Sequence, residues 1–164
     1  MDVAQEISAG GVVLRRVSGE WQIAVIEPQK EAPAGKVASK RTSQKMLLAL
    51  PKGLVDPGER PEETAAREII EETGVTATLV TKLGDIKYVY VRTWAGGERV
   101  FKVVSFYLFR YESGKIDDIA GEMRIEVKRA LWIPLEEAAA KLAYRGEKEM
   151  VRKAQEYLQA HPDL

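Results

Sequence analysis

A short helix carrying acid along one side constrains the fold of this chain more than any other feature. Residues 61–73 (PEETAAREIIEET) open on a proline followed by two glutamates, and Gly74 comes directly after them. Proline and acids suit the first turn of a helix, and glycine suits its end, so this stretch predicts a helix with both ends defined. At 100° per residue, three glutamates share an arc of about 100°: Glu68, Glu71 and Glu72.

The other side of the predicted helix is apolar. Ala66, Ile69 and Ile70 lie on a separate arc, which we expect to pack against a sheet. The glutamates repel one another by roughly a few tenths of a kcal/mol per pair in water, and by more when partly buried. A divalent cation would reverse this cost, and ligation by oxygen alone favours Mg²⁺ or Mn²⁺ over zinc. The alternative is a solvated acidic face that binds nothing.

Short apolar runs separated by turn residues predict strands on both sides of this helix, and two helices close the chain. The predicted strands are 7–14, 21–26, 46–50, 86–94, 99–111 and 130–133, with turns at 18–20 and 95–97; the closing helices are 135–143 and 146–160. Strands grouped around a central helix predict an α+β fold. A length of 164 residues without an internal repeat predicts one domain, residues 1–164.

Residues 28–45 interrupt the strand pattern. They hold five basic residues, one acid and almost no large apolar side chain, so they predict a flexible basic loop. Such a loop is either a solvated insertion, which we favour, or a cover that attracts polyphosphate to the site.

Composition excludes several kinds of chemistry. Cysteine is absent and the only histidine, His161, lies near the end of the chain, which argues against disulfides, thiolate sites and serine–histidine catalysis. Basic and acidic residues balance at 25 each, so nothing indicates nucleic-acid binding. Without a membrane-spanning run or a secretion signal, the expected location is the cytoplasm.

The residues around the helix carry a family resemblance. Gly53, five residues, Glu59, seven residues and then 67–75 (REIIEETGV) match the Nudix signature at all nine of its specified positions. The chain therefore resembles Nudix hydrolases over nearly its whole length. The resemblance implies an α/β/α sandwich around a mixed sheet, and it implies metal-dependent hydrolysis of a nucleoside diphosphate linked to another group.

Roles for the motif glutamates follow from the resemblance. It implies that Glu71 and Glu72 are the main metal ligands, and that Glu68 joins them and acts as the general base. Arg67 is expected to orient these carboxylates, and Glu59 to support the metal or Arg67.

Two further groups complete the expected metal site. Gly53 is expected to permit a tight turn, so that the carbonyl of the preceding residue, Lys52, faces a metal. The family often adds a carboxylate shortly before a tryptophan, and Glu126, six residues before Trp132, fits better than Glu122. Glu126 is therefore an alternative base, and an exposed loop acid is the other interpretation of both glutamates.

Residues outside the signature bear on the substrate. The segment 50–53 (LPKG) resembles the dinucleoside-polyphosphate branch, in which Lys52 could bind phosphate as a point charge. Tyr88, Tyr90 and Arg92 alternate on one strand face, where they could stack on and clamp a nucleotide. The alternatives are a surface lysine and tyrosines that only cover the sheet.

Two more residues are substrate candidates. Lys102 is unusual on its apolar strand, which suggests a phosphate contact. Tyr144 lies in a segment that resembles the C-terminal part of diadenosine-polyphosphate hydrolases, although a packing role is the alternative.

The sequence thus predicts a hydrolase of dinucleoside polyphosphates such as diadenosine tetra- or hexaphosphate, with Mg²⁺ or Mn²⁺ as cofactor. ADP-ribose, nucleotide sugars and nucleoside triphosphates are alternative substrates. A protein of another class, a non-catalytic nucleotide-sensing module, would be expected to lose motif carboxylates, and none is lost here. The expected partner is a small nucleotide, and the chain is either a monomer or a homodimer.

Overall fold

The computed structural model of the protein describes residues 4–29, 47–93 and 96–164. In chain order its elements are β1 (Ala4–Val17), β2 (Glu20–Pro28), β3 (Lys52–Leu54), α1 (Pro61–Thr73), β4 (Val75–Arg92), β5 (Glu98–Gly114), a 3₁₀ turn (Gly121–Ile125), β6 (Val127–Pro134), α2 (Leu135–Lys141) and α3 (Arg145–Ala160). The basic loop predicted over 28–45 falls outside the described residues beyond Gln29, and Pro28 ends a strand instead of starting the loop.

Five strands form one sheet in the order β4-β5-β1-β2-β6, and β3 pairs with β1 beside that path. Strands β1 and β5 run parallel, from the pair Ala4–Val100 to the pair Leu14–Arg110. All other strand pairs described are antiparallel. The sheet is therefore mixed, as the family resemblance implies.

The segment 48–54 lies where β1 and β2 diverge. Ala49 bridges to Ile26 of β2, and Lys52 pairs with Gly10 of β1. A Cβ on Gly10 would lie 2.6 Å from Lys52 Cβ, so glycine permits this close approach. The strand predicted over 46–50 is wrong: Leu48 and Ala49 make only isolated bridges, and the true strand β3 begins later.

Helices cover both faces of the sheet. On one face α1 packs on a core that includes Val13, Ile69 and Phe109. On the other face α2 and α3 pack on a second core that includes Phe106 and Met150. The predicted α+β class and α/β/α sandwich are confirmed.

Helix α1 has the predicted bounds but not the predicted orientation. Its buried residues are Thr64, Ala65, Glu68, Ile69, Glu72 and Thr73. Ile70, which we expected to pack on the sheet, is 48% exposed. Two carboxylates share the sheet-facing stripe because hydrogen bonds from Arg67 and from the Lys52 backbone satisfy them. The helix ends at Gly74, whose φ of 84° suits glycine.

The remaining elements are close to those predicted, except that β4 begins eleven residues earlier, at Val75 instead of Ile86. Its pairing with β5 shifts register at three places before Asp85. Each shift breaks the alternation of apolar and polar residues, which removes the pattern that marks a strand in the sequence. The two closing helices are confirmed as α2 and α3. None of the helices in the described residues is long and apolar enough to span a membrane.

Candidate active site

Arg67 is the centre of the charged cluster on α1. Its Nε and Nη2 donate to the two carboxylate oxygens of Glu59 at 2.9 and 3.0 Å. Its Nη1 reaches Glu68 at 2.9 Å and both oxygens of Glu71 at 3.2 Å. Hydrogen bonds from Arg67 lower the pKa of Glu59 to about 2. Asp56 also pairs with Arg67, at 3.4 Å, and the motif did not point to it.

Glu68 lies directly against the backbone of β3. A Cβ placed on Gly53 would overlap the Glu68 carboxylate, so only glycine leaves this space open. The expectation that Gly53 makes a tight turn is wrong, because Gly53 lies inside a strand and its φ is not positive. Burial raises the pKa of Glu68, Arg67 opposes this effect, and the charges of Glu71 and Glu126 add to it.

Glu72 is the most strongly perturbed carboxylate of the cluster. The residue is only 6% exposed, and its Oε1 accepts a hydrogen bond of 3.0 Å from the backbone N–H of Lys52. Burial, together with the nearby charges of Glu68 and Glu126, raises the pKa of Glu72 to about 8, although the Lys52 hydrogen bond and charge act in the opposite direction. Because two buried carboxylates lie close to other acids, a positive charge would be strongly favoured at this place.

Glu126 joins this cluster from a distant part of the chain. It follows the 3₁₀ turn, its backbone carbonyl accepts from Gln29 at 2.8 Å, and its charge acts on both Glu68 and Glu72. We call the space that these side chains share the carboxylate pocket; it measures about 350 Å³ and is lined by Ser8, Lys52, Gly53, Leu54, Asp56, Glu68, Glu71, Glu72, Lys102, Met123 and Glu126. Glu122 is not among the lining residues. The placement therefore favours Glu126 over Glu122 as the additional carboxylate.

The carboxylate pocket suits a hard divalent cation in its donor chemistry. Its acidic lining residues offer oxygen ligands, and burial, with the charges of the neighbouring acids adding to it, raises the pKa values of Glu68 and Glu72. Within the described residues, no three histidine or acidic side chains are already arranged to hold a metal ion. Arg67 donates hydrogen bonds to carboxylate oxygens of Glu68 and Glu71. These two side chains must therefore share those oxygens with a metal ion, or release Arg67, in order to bind the ion.

A second space adjoins the first. We call it the tyrosine cavity; it measures about 450 Å³ and is lined by Lys52, Ile86, Tyr88, Val104, Phe106, Tyr144, Gly146 and Glu147. Tyr88 and Tyr144 are each about half exposed, so their rings are available to a ligand. Lys52 lines both spaces and connects them. Its Nζ lies 5.5 Å from the centre of the Tyr144 ring and 2.9 Å from Glu147.

Not all predicted substrate residues reach these spaces. Tyr88 and Tyr144 line the tyrosine cavity and Lys102 lines the carboxylate pocket, but Tyr90 and Arg92 line neither. Instead, Glu6 binds Arg92 at 2.8 Å and Lys102 at 3.3 Å. Burial alone would raise the pKa of Glu6, but hydrogen bonds from Arg92, Tyr90 and Lys102 lower it. Of the three residues predicted to clamp a nucleotide, only Tyr88 lines one of these two spaces, and the clamp stays a prediction.

Sequence reasoning missed Glu147 entirely. This glutamate lies in the first turn of α3, its side chain is 3% exposed, and it pairs with Lys52. Burial lowers the pKa of Lys52, but the charge and hydrogen bond of Glu147, together with the charges of Glu72 and Tyr144, outweigh this effect, so the pKa is raised overall. A glutamate near a helix start reads as an ordinary surface residue, and nothing in the sequence links it to Lys52.

Comparison with known proteins decides the family. A sequence model described as the NUDIX domain matches residues 8–154. The chain belongs to the NUDIX family. The strand, loop and helix that carry the motif are therefore a Nudix motif in both sequence and structure.

Two relatives show the range within the family. The chain is 33% identical over 158 residues to a Mycobacterium tuberculosis protein named "Putative mutator protein MutT4", an alignment that covers 96% of this chain and 58% of that protein. It is 30% identical over 118 residues to the mouse asymmetrical bis(5'-nucleosyl)-tetraphosphatase, covering 68% and 72% of the two chains. This chain thus spans little more than half the length of the first relative.

The fold has a solved counterpart. The crystal structure of a Caenorhabditis elegans Ap4A hydrolase binary complex superimposes with a TM-score of 0.67 at 22% identity, over 94% of this chain and 98% of that one. A likeness at this identity supports the Nudix fold of the present chain.

Proposed function

We propose that this Nudix protein is a metal-dependent pyrophosphohydrolase whose preferred substrate is a dinucleoside polyphosphate such as diadenosine tetra- or hexaphosphate. The observation that carries the proposal is the position of Lys52, which lines both the carboxylate pocket and the tyrosine cavity. A polyphosphate chain bound at the carboxylate pocket can pass Lys52 and place its nucleoside in the tyrosine cavity. Aromatic rings suit a base, and a lysine suits a phosphate.

The motif carboxylates are the proposed ligands of Mg²⁺ or Mn²⁺. Glu71 and Glu72 are the main ligands, with Glu68 beside them. Glu59 acts through Arg67, to which it is bound by two hydrogen bonds. Held by these residues, a divalent ion would neutralise charge on the phosphate oxygens and make the attacking water easier to deprotonate.

The chain's own residues then move the proton. Glu68 is the proposed general base, because its raised pKa brings it closer to that of an effective proton acceptor near neutral pH. Arg67 orients Glu68 and Glu71 through its Nη1. Glu126, which faces the same pocket, is the alternative base.

Besides Lys52, three residues are proposed to contact the substrate directly. Tyr88 and Tyr144 hold the nucleoside, and Lys102 contacts the outer phosphates from the wall of the carboxylate pocket. Tyr90 and Arg92 have an indirect part, since both bind Glu6, which in turn holds Lys102.

A second candidate substrate is an oxidised nucleoside triphosphate. It is favoured by a local match of 63% identity over 38 residues to a Bacillus subtilis protein whose name gives 8-oxo-dGTP diphosphatase activity, and this match covers 23% of the present chain. ADP-ribose and nucleotide sugars are further alternatives.

A non-catalytic sensing module is disfavoured because all motif carboxylates are present. We further propose that the protein acts in the cytoplasm on a small nucleotide and that it is a monomer or a homodimer.

The experiment is a hydrolysis screen with Mg²⁺ and, separately, Mn²⁺. The panel contains diadenosine tetra- and hexaphosphate, ADP-ribose, a nucleotide sugar, 8-oxo-dGTP, ordinary nucleoside triphosphates and an inositol pyrophosphate. We expect the diadenosine compounds to give the highest kcat/KM, Glu71→Gln to be inactive and Glu122→Gln to match the wild type. A preference for another compound would contradict the substrate proposal, and no hydrolysis of any compound would contradict the enzyme proposal.

A further inference from the structure

Glu147 is a buried acid that the reaction as described above does not use. It lies on α3, far in sequence from the motif, yet its side chain is only 3% exposed. Its Oε1 accepts a hydrogen bond of 2.8 Å from the backbone N–H of Leu50, and its Oε2 lies 2.9 Å from Lys52 Nζ. A buried carboxylate is costly unless it is paired, and here both oxygens have partners.

Both partners of Glu147 lie on the short segment that enters the motif. Lys52 is thereby held from two sides: its backbone N–H donates to Glu72 of α1, and its side chain pairs with Glu147 of α3. Its ammonium group is a flexible point charge, which on its own would sample many positions. With Glu147 in place, that charge stays beside Tyr144, where the two spaces of the site meet.

Contacts at the start of α3 hold this helix in place, so that Glu147 can position Lys52. Ala143 N–H donates to the Leu48 carbonyl at 3.0 Å, which joins the chain before α3 to the segment before the motif. On the other side, a Cβ on Gly146 would lie 2.6 Å from Ile86, so glycine lets α3 approach β4 closely. Glu147 thus projects from a packed element, which is the kind of support that a positioned charge needs.

We propose that Glu147 is a positioning residue: it holds Lys52 at the junction of the carboxylate pocket and the tyrosine cavity, so that Lys52 binds the phosphates between the metal site and the nucleoside. This inference rests on the proposed function and extends it to a residue outside the motif. Glu147 itself contacts no reacting atom. Its effect passes through Lys52, so substrate affinity depends on it more than the chemical step does.

The kinetic test is a double-mutant cycle on diadenosine tetraphosphate hydrolysis with Mg²⁺. Glutamine at 147 keeps an oxygen for the Leu50 N–H but removes the charge that pairs with Lys52. Glu147→Gln is expected to lower kcat/KM by about tenfold, mainly through a higher KM. In a Lys52→Met background the same change should alter kcat/KM by less than about twofold. Glu149→Gln, at an exposed position two residues further on, is the matched control and should match the wild type.

Equal effects of Glu147→Gln in the two backgrounds would overturn the proposal, since the residue would then act on the fold and not through Lys52. Wild-type kinetics in Glu147→Gln would overturn it as well. If the glutamine variant does not fold, Glu147→Asp, which keeps the charge but shortens the side chain, takes its place in the cycle with the same expected coupling.

A binding measurement separates this inference from the proposed function. Calorimetry of ATP binding in EDTA requires no turnover and no metal ion. Weaker binding to Glu147→Gln than to the wild type, with no such difference in the Lys52→Met background, would support the positioning role even if no panel substrate is hydrolysed. Equal affinity of the wild type and Glu147→Gln, or no detectable binding to the wild type, would contradict it.

Discussion

Replacing Glu72 by glutamine is expected to stabilise the metal-free protein while it abolishes hydrolysis. Glutamine keeps an oxygen for the Lys52 N–H and removes the buried charge. The pKa of Glu72 is raised from 4.5 to about 8, so the folded protein binds the proton more tightly than the unfolded chain does. The proton on Glu72 therefore stabilises the folded state. This stabilisation is fully present below about pH 4.5 and is lost as the pH rises toward about 8.

The magnitude follows from the size of the pKa shift. One pKa unit corresponds to about 1.4 kcal/mol, and the neighbouring acids share the titration. The ionised Glu72 carboxylate therefore costs the fold about 2–4 kcal/mol near pH 8. Removing it should raise the free energy of unfolding by that amount near pH 8 and by much less near about pH 5.

The assay is urea denaturation in EDTA at these two pH values. Added Mg²⁺ should stabilise the wild type more than Glu72→Gln, because a ligand that binds only the folded state adds to its stability. A variant that is no more stable than the wild type near pH 8, or that gains as much near pH 5, would refute the assignment of a buried, strained carboxylate at Glu72.

Three further substitutions test the geometry of the site. Gly53→Ala should lower kcat by about 100-fold and the free energy of unfolding by about 1–3 kcal/mol, because its Cβ overlaps the Glu68 carboxylate; Gly121→Ala, with open space around its Cβ, is the control for both assays. Arg67→Lys should lower kcat by about 10- to 100-fold, since lysine cannot hold several carboxylates with one planar group, and an unchanged kcat would refute the orienting role. Glu126→Gln should lower kcat by about tenfold if Glu68 is the base; a loss of about 1000-fold together with loss of the acidic limb of the pH–rate profile would assign the base to Glu126 instead.

The sequence predicts helix α1 and the fold class well because their signals are local. Pro61 and Gly74 define the two ends of α1, and the structure places its bounds where these residues predict them. The spacing from Gly53 to Val75 identifies the family without any knowledge of the fold. The sandwich then follows from the family, and helices on both faces of the sheet confirm it.

The pairing of charged side chains was not predictable from the same signals. Tyr90 and Arg92 alternate with Tyr88 as expected, but both bind Glu6 of β1 and neither lines the tyrosine cavity. In the same way, Lys52 forms an ion pair with Glu147, which lies ninety-five residues later in the chain. Such pairs depend on which elements meet in space, and local residue patterns do not show that.

The burial of motif acids was also misjudged. Hydrophobic periodicity assigns glutamates to the solvent side of a helix, yet Glu68 and Glu72 lie on the sheet-facing stripe of α1. The structure offsets the cost of burial with hydrogen bonds that periodicity does not register. Where this pattern fails, the chain carries its proposed chemistry.

The central proposal is that this protein cuts a pyrophosphate bond and that the motif carboxylates hold the metal ion required for the reaction. The most direct test is the initial rate of diadenosine tetraphosphate hydrolysis as a function of Mg²⁺ concentration, for the wild type and for the Glu71→Gln/Glu72→Gln double variant. We predict a saturable dependence on Mg²⁺ for the wild type, no activity in EDTA, and at most about a thousandth of the rate for the double variant at any Mg²⁺ concentration. Hydrolysis that persists in EDTA, or a double variant that retains the wild-type rate, would contradict the claim.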